Sequence, residues 1–147
     1  MEGCSCTTCK CGERLIYEIP KNQNLIQLGD FPLHSGGISY FKIECDKFTQ
    51  SDWDALAILA AKRWKYRTVH GIPTGGMRLA NAMQKYATLD PKDPTIIVDD
   101  VLTTGGSMIQ AKLMYKADVP VIGFVAIARG PTLPWVIPFF QIVDGWE

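Results

Sequence analysis

Two neighbouring acids, Asp99 and Asp100, directly precede a turn that is rich in glycine and hydroxyl side chains. The turn, residues 101–107, has the sequence VLTTGGS and lies between an apolar run and a helix-like segment. Glycines let backbone N–H groups approach an anion, and the N-terminus of a helix adds partial positive charge. The threonine and serine hydroxyls can donate further hydrogen bonds to phosphate oxygens. This turn is therefore expected to bind a phosphate.

The acids need a partner of their own, because carboxylates beside a phosphate would otherwise repel it. Sugar hydroxyls donate to carboxylates, and Mg²⁺ accepts carboxylates as ligands, directly or through water. A phosphate at one end and a polyol at the other describe a ribose 5-phosphate. The alternative is a strand-end turn in which Asp99 or Asp100 caps the following backbone. Neither the lysine of a P-loop nor a G-x-G-x-x-G pattern is present here, which disfavours an NTPase or a dehydrogenase.

The composition is that of one globular domain. The 147 residues are 47% hydrophobic and 20% charged, and 15 basic residues balance 15 acidic ones. No global basic field indicates a nucleic-acid partner, and the apolar stretches are shorter than a bilayer span. No charged-then-apolar leader opens the sequence. We therefore expect a cytoplasmic protein that binds neither nucleic acid nor membrane.

Four of the five cysteines, Cys4, Cys6, Cys9 and Cys11, lie in the octapeptide CSCTTCKC. In an intracellular protein, clustered thiolates indicate metal or redox chemistry more often than disulfides. Zinc accepts four thiolates, although structural sites usually draw on two separated pairs. Two alternatives stay open, a tentative zinc site and a reduced N-terminal tail. Cys45 stands alone and is expected to be a small buried side chain.

Strands and helices must bring the acids and the turn into position. Short strands are predicted in RLIYEIP, NLIQLGDF and GGISYFKIE, the last of which alternates in polarity from Ile38. Residues 49–65 change to a helical period, and Ser51 with Asp54 resembles a capping box with a shorter acid. The buried face of this helix is predicted to carry Trp53, Leu56, Ala57, Ala60 and Trp64.

The second half of the sequence alternates between the two kinds of element. Strands are predicted in RTVHGI, TIIVDD and VPVIGFVAIA, and helices in MRLANAMQKYA and SMIQAKLMYKA. This order is typical of an α/β fold in which helices flank a parallel sheet. Ligands of such sheets bind at the carboxyl ends of the strands. The turn 73–76, the loop 99–107 and Arg129 are therefore expected along one rim.

These segments resemble the type I phosphoribosyltransferases, and among them the orotate phosphoribosyltransferases most. IIVDDVLTTGGSM is similar to the family signature of an apolar strand, an acidic pair and a phosphate loop. FPLHSGGISYFKIE is similar to the N-terminal hood, VHGIPTGGMRLA to the pyrophosphate loop, and AIARG to the segment with a base-binding arginine. The resemblance covers roughly residues 28 to 130. It implies one phosphoribosyltransferase-like domain, hood included, at 13–147, and the clustered cysteines define a separate Cys-rich segment at 1–12.

The resemblance also implies a role for each matching residue. Asp99 and Asp100 would be catalytic and would bind the ribose hydroxyls of phosphoribosyl pyrophosphate. Its 5-phosphate would be held by Val101, Leu102, Thr103, Thr104, Gly105, Gly106 and Ser107. Its pyrophosphate would be held by Thr74, Gly75, Gly76 and Arg78, with Mg²⁺ bridging it and the ribose, and the base would contact Phe41, Lys42 and Arg129. For Arg78 the alternative is a solvated residue at a helix start.

The implied activity is phosphoribosyl transfer to a nucleobase, a pyrimidine such as orotate, by a homodimer. One departure raises an alternative. Only LDPKDP separates NAMQKYAT from TIIVDD, whereas the orotate enzymes carry there a further strand and a long basic loop that closes over the site. Such closure excludes water and strengthens charge stabilisation. The alternative is therefore a weak or inactive regulatory protein that binds phosphoribosyl pyrophosphate or a nucleotide, or an enzyme whose lid comes from GPTLPWVIPFF or the N-terminal extension.

Overall fold

A parallel sheet of four strands forms the centre of the protein in the computed structural model, which describes residues 24–33 and 36–143. The elements are β1 (Ile26–Pro32), β2 (Ile38–Ile43), α1 (Gln50–Arg63), β3 (Thr68–Gly71), α2 (Met77–Gln84), β4 (Thr95–Leu102), α3 (Gly106–Leu113), β5 (Val121–Arg129) and β6 (Val136–Ile142). The strand order is β3-β4-β5-β6, and β1 and β2 form a separate antiparallel pair, the hood. The expected α/β fold with a parallel sheet, flanking helices and a small hood is confirmed.

Both faces of the sheet are covered, which explains the uninterrupted apolar run in β4. Ile96 and Val98 point to the face that carries α1 and α2, where they join one core cluster. Ile97 points to the other face and packs in a second cluster with Met108 and Ala111 of α3. Each of these β4 side chains is fully buried, worth roughly 1.5–3 kcal/mol relative to exposure. The sheet is therefore a rigid support for the residues at its carboxyl edge.

The start of α1 corrects one prediction. The capping box consists of Thr49 and Asp52, not of Ser51 and Asp54: the Thr49 hydroxyl accepts from the N–H of Asp52, whose carboxylate accepts from the N–H of Thr49 at 2.7 Å. Ser51 lies inside the first turn and cannot cap it. The reason is a hydrophobic contact across the helix start: the rings of Phe48 and Trp53 are 4.8 Å apart and tilted, which sets where the chain enters the helix.

The rest of α1 follows the predicted pattern. Trp53, Leu56, Ala57 and Ala60 are buried, and Trp64 is half-buried at the carboxyl end of the helix. Cys45 is buried in the same cluster, as expected, and burial raises the pKa of its thiol to about 12. None of the helices that the structure describes is long and apolar enough to cross a membrane.

The hood has two predicted strands, but its polarity pattern is misleading. NLIQLGDF and GGISYFKIE form β1 and β2, while RLIYEIP lies outside the described residues. Along β2 the apolar Ile38 and Tyr40 are 58% and 64% exposed, whereas Ser39 is fully buried. Ser39 shares the inner side of β2 with the half-buried Phe41 and Ile43, of which Ile43 packs against the core, and its contact with β5 is described below.

The strand β6 was not predicted. The segment GPTLPWVIPFF forms a short return along the sheet and then β6, which pairs parallel to β5 with Gly123 opposite Val136. Leu133 and Trp135 of the return segment pack in the cluster on the α3 face. Pro138 is compatible with β6 because this strand lies at the sheet edge. The idea of a lid from this segment is therefore wrong, since its residues complete the sheet and the core.

Candidate active site

The acid pair lies at the end of β4, which runs two residues further than predicted and includes both aspartates. One oxygen of each carboxylate is held by the next backbone N–H: Asp100 N–H donates to Asp99 at 2.9 Å, and Val101 N–H donates to Asp100 at 2.7 Å. The backbone capping that was the alternative to a ligand site does occur at both acids, and among the described residues the second oxygen of each carboxylate has no backbone partner. In the described part of the chain, neither acid forms a salt bridge with lysine or arginine.

Asp99 is the acid of the site whose pKa is shifted. Burial raises the pKa of its carboxyl to about 7, the Asp100 N–H bond lowers it, and the Asp100 carboxyl raises it further. Asp99 therefore keeps its proton up to about neutral pH. A ligand that supplies hydroxyl donors or a cation would favour the ionised form. Such perturbation in a cleft is typical of a functional site.

The loop after β4 forms a small open cleft of about 50 Å³, lined by Asp99, Val101, Leu102, Thr103, Thr104, Gly105, Gly106, Ser107 and Met108. The first backbone bond of α3 runs from the N–H of Ile109 to the carbonyl of Gly105 at 2.9 Å. The N–H groups of residues 106–108 are therefore not used within the helix. With the hydroxyls of Thr103 and Thr104 exposed beside them, the cleft offers donors suited to an anion.

Gly105 makes this loop possible. Its φ is +82°, a left-handed conformation that side chains rarely adopt, and a Cβ there would lie 2.8 Å from Cδ1 of Leu133. Gly106, by contrast, has open space around it, since its nearest neighbour would be Oγ1 of Thr104 at 3.8 Å. The two adjacent glycines thus serve different purposes: the first shapes the loop, and the second starts the helix.

The turn between β3 and α2 lies against the acid pair. A Cβ on Gly75 would lie 2.6 Å from Cγ of Asp100, and one on Gly76 would lie 2.5 Å from the carbonyl oxygen of Val98. The N–H of Ile72 donates to that same carbonyl at 2.9 Å, which ties the turn to β4. The peptide bond preceding Thr74 is cis. The sequence expectation that 74–76 and 99–100 meet at one rim agrees with this geometry.

Arg78 does not point to this turn. Its guanidinium forms an ion pair with the carboxylate of Asp46 and lies over the ring of Trp53, 5.6 Å from the centroid. Arg78 is the second residue of α2 and its side chain is 40% exposed, which agrees with the alternative of a solvated residue at a helix start. Its role in pyrophosphate binding stays a prediction, and would require the ion pair to open.

Arg129 connects the rim to the hood. It is the last residue of β5, and its Nη2 donates to Oγ of Ser39 at 2.9 Å. Its guanidinium lies 4.6 Å from the centroid of the Phe41 ring, so two of the three predicted base contacts come together. The side chain of the third, Lys42, forms an ion pair with Glu44 at 2.7 Å. Ser39 was missed, although a small polar residue two positions before Phe41, on the same strand face, was a signal for it.

The connection between α2 and β4 is short and well anchored. The N–H groups of Thr88 and Leu89 donate to the carbonyls of Tyr66 and Arg67 at 2.8 and 3.1 Å. The Thr88 hydroxyl also donates to Asp93 at 2.5 Å. In the sheet as described, β3 is an edge strand, and the described residues form no strand between α2 and β4. The structure thus has neither the extra strand nor a long loop at this position.

The four clustered cysteines, Cys4, Cys6, Cys9 and Cys11, lie outside the described residues, so the zinc site stays a prediction. Within residues 24–33 and 36–143, no group of three or more histidine, cysteine or acidic side chains could hold a metal ion.

Solved structures with a similar backbone include orotate phosphoribosyltransferases and a UMP synthase. The orotate phosphoribosyltransferase of Aeropyrum pernix has a TM-score of 0.65 and 19% identity, over 83% of this chain and 90% of its own. The UMP synthase of Leishmania donovani has a TM-score of 0.64 and 16% identity, over 82% of this chain but only 34% of its own length. The orotate phosphoribosyltransferase of Mycobacterium tuberculosis, solved in complex with inorganic phosphate, has a TM-score of 0.58 and 14% identity, over 81% and 90%.

No protein-family model matches this sequence, and no curated protein is significantly similar to it. Identities this low show the fold and not the reaction. The chain therefore has the type I phosphoribosyltransferase fold, of the kind found in orotate phosphoribosyltransferases, as the sequence motifs predicted.

Proposed function

We propose that this protein transfers a phosphoribosyl group from phosphoribosyl pyrophosphate to a nucleobase, a pyrimidine such as orotate, and releases pyrophosphate. One observation carries the proposal: a half-buried acid pair is continuous with an anion-binding cleft on one side and touches the Gly75 turn on the other. The fold it shares with proteins that are orotate phosphoribosyltransferases supports the same reaction.

Each part of the site fits one part of the ligand. The loop 101–107 would hold the 5-phosphate, as its free N–H groups and hydroxyls suit an anion. Asp99 and Asp100 would accept from the two ribose hydroxyls with their unused oxygens. The turn 74–76 would contact the pyrophosphate through its backbone. Because pyrophosphate leaves through an oxocarbenium-like state, orientation and charge neutralisation would supply the rate enhancement.

The site is compatible with Mg²⁺. Two adjacent carboxylates are too few for a cage made by the protein alone, but Mg²⁺ in nucleotide sites is commonly bound by one or two carboxylates together with substrate phosphates and water. When bound, the ion would neutralise the pyrophosphate. Asp99 and Asp100 are the residues that would hold it, directly or through water.

The base would occupy the space between the hood and the end of β5. Arg129 offers a planar fork that suits a carboxylate, and Phe41 already stacks on its guanidinium. Lys42 would contribute through its backbone, since its side chain is paired with Glu44. A carboxylate-bearing pyrimidine such as orotate is the base that this arrangement favours.

A pyrophosphate-release screen tests the activity. Protein, Mg²⁺ and phosphoribosyl pyrophosphate are incubated with orotate, uracil, adenine, guanine and hypoxanthine in turn. We expect release with orotate, abolished in the Asp99→Asn, Asp100→Asn double variant and retained in Asp118→Asn, which removes an exposed carboxylate far from the cleft. An absence of turnover with every base would contradict the enzyme proposal.

The second candidate is a regulatory protein that binds phosphoribosyl pyrophosphate or a nucleotide with little or no turnover. The anchored connection of residues 85–94 favours it, because no basic loop closes the site from that side. Calorimetry separates the two candidates. Tight binding without pyrophosphate release indicates the regulatory protein, and tight binding with release indicates the enzyme.

We further infer a homodimer from the resemblance and a cytoplasmic location from the composition. Sedimentation velocity tests the first part: a species of about twice the 16.3 kDa chain mass is expected, and a monomer across the accessible concentrations would contradict it.

A further inference from the structure

One arginine of the parallel sheet reaches the hood. The hood strands β1 and β2 share no strand pairing with β3–β6. Arg129, at the end of β5, crosses to β2, where Nη2 donates to Oγ of Ser39 and the guanidinium lies over Phe41. Any ligand between hood and sheet would therefore meet a guanidinium whose position is set by these two hood residues.

The hydroxyl of Ser39 already donates its one proton within the hood. Ser39 is 0% exposed, and its Oγ donates to the carbonyl oxygen of Phe41 at 2.8 Å. A hydroxyl has one proton, so towards Arg129 it can only accept. This fixes the direction of both bonds: the Phe41 carbonyl takes the proton, and a lone pair of Ser39 faces the guanidinium. Within the described ranges, Ser39 is the only hydrogen-bond partner of the Arg129 side chain.

Two contacts restrain the guanidinium. Nη2 is bonded to Ser39, and Cζ lies over the Phe41 ring. The described residues use only one of the five N–H donors, so a fork of parallel donors stays available for a planar acceptor such as a carboxylate. A side chain that is already restrained loses less conformational freedom when a ligand binds, which strengthens binding without any new contact.

We infer that Ser39 is a positioning residue for Arg129, and that it sets how strongly the site prefers a base with a carboxylate over the same base without one. The inference rests on the proposed function, since it places the base at Arg129. Ser39 itself does not touch the ligand. Removing its hydroxyl leaves the Phe41 contact in place, so preference for the carboxylate should fall about three- to tenfold, the usual effect of one hydrogen bond.

A pair of nucleotides isolates this effect. Orotidine 5′-monophosphate and uridine 5′-monophosphate differ only in the carboxylate, and calorimetry gives a Kd for each. The readout is the Kd of uridine 5′-monophosphate divided by the Kd of orotidine 5′-monophosphate, so a larger ratio means a stronger preference for the carboxylate. Ser39→Ala is expected to reduce this ratio about three- to tenfold, with the uridine nucleotide bound within about twofold of wild type, since its phosphate and ribose contacts are unchanged. A merely structural defect would weaken both nucleotides equally.

Three variants complete the experiment. Arg129→Ala should abolish the preference. Tyr40→Phe removes a hydroxyl from the neighbouring, 64% exposed residue and should keep the wild-type ratio. Ser39→Cys keeps the side-chain size but offers a weak acceptor, and it should lower the ratio like Ser39→Ala, so it serves if the alanine variant does not fold.

The outcomes distinguish a failure of the proposed role of Ser39 from a failure of the proposed function. A wild-type ratio in a folded Ser39 variant, with the preference lost in Arg129→Ala, overturns the role of Ser39 and leaves the proposed function standing. A wild-type protein that binds neither nucleotide, or binds both equally, overturns the orotate proposal and the role of Ser39 together.

Discussion

At the scale of single residues, Asp99 is the acid of the candidate site whose pKa is clearly shifted. Its pKa is raised to about 7 from the usual 3.8, mainly because burial disfavours the charged form. The unfolded chain therefore releases this proton at lower pH than the folded chain does. The associated stability is fully present below about pH 4 and is lost as pH rises through about 7.

The Asp99→Asn substitution should remove this loss of stability at high pH. In denaturant titrations at pH 8 the variant should be more stable than wild type by on the order of 1–2 kcal/mol, after allowance for solvent screening of a partly exposed group. At pH 4 the difference should be much smaller, because wild-type Asp99 is then protonated in the folded state. Asp118→Asn controls for the change in net charge. A constant offset between Asp99→Asn and wild type at both pH values would contradict the account.

Residue types predicted the acid pair and its loop because their chemistry is local: carboxylates, glycines and hydroxyls are contiguous in sequence. Partners distant in sequence were not predictable in this way. Ser39 meets Arg129 across ninety positions, and Arg78 is drawn to Asp46 across 32. Such contacts depend on the placement of the hood and of α1, which no local pattern encodes.

At the scale of elements, the first turn of α1 offers a matched comparison. Thr49→Ala should lower the free energy of unfolding by about 1 kcal/mol, because the hydroxyl that caps the Asp52 N–H is lost. Ser51→Ala should have little effect, since Ser51 is an exposed residue within the helix. Thermal or urea unfolding of both variants provides the measurement, and a larger loss in Ser51→Ala would restore the capping box first predicted from the sequence.

The loop 101–107 offers a second matched pair of variants. Gly105→Ala should destabilise the fold by about 1–3 kcal/mol, because a side chain at this φ is strained and would collide with Leu133. Gly106→Ala has room and should change stability by less than about 1 kcal/mol, in the stabilising direction. Urea titrations measure both. Equal losses in the two variants would show that the loop does not depend on the left-handed conformation of Gly105.

The elements themselves were mostly predictable from period, since β4 and β5 contain apolar runs and α1 has a clear helical face. The strand β6 was not, because GPTLPWVIPFF contains three prolines and no polar alternation. Its strand pairing depends on the free edge of β5 and on core positions for Leu133 and Trp135. The start of β2 was likewise predicted in the wrong phase, since Ser39 is buried there while Ile38 and Tyr40 are exposed.

At the scale of the whole molecule, the N-terminal cysteines test whether a metal belongs to the protein. If Cys4, Cys6, Cys9 and Cys11 bind zinc, protein purified without added zinc should contain about one equivalent, as expected for a four-thiolate site. The four-fold serine variant should lose it, and Cys45→Ser, which changes only the buried cysteine, should retain it. Four freely titrating thiols with no metal would leave the reduced-tail alternative.

The central claim is that one ligand joins the acid pair to the glycine loop. Calorimetric titration of phosphoribosyl pyrophosphate with Mg²⁺ tests it most directly, because it does not depend on turnover or on the identity of the base. The account predicts saturable binding by wild type and Asp118→Asn. It predicts at least about tenfold weaker binding by Asp99→Asn, Asp100→Asn, since several hydrogen bonds to the ribose are weakened together. Unchanged affinity in the double variant would contradict the claim.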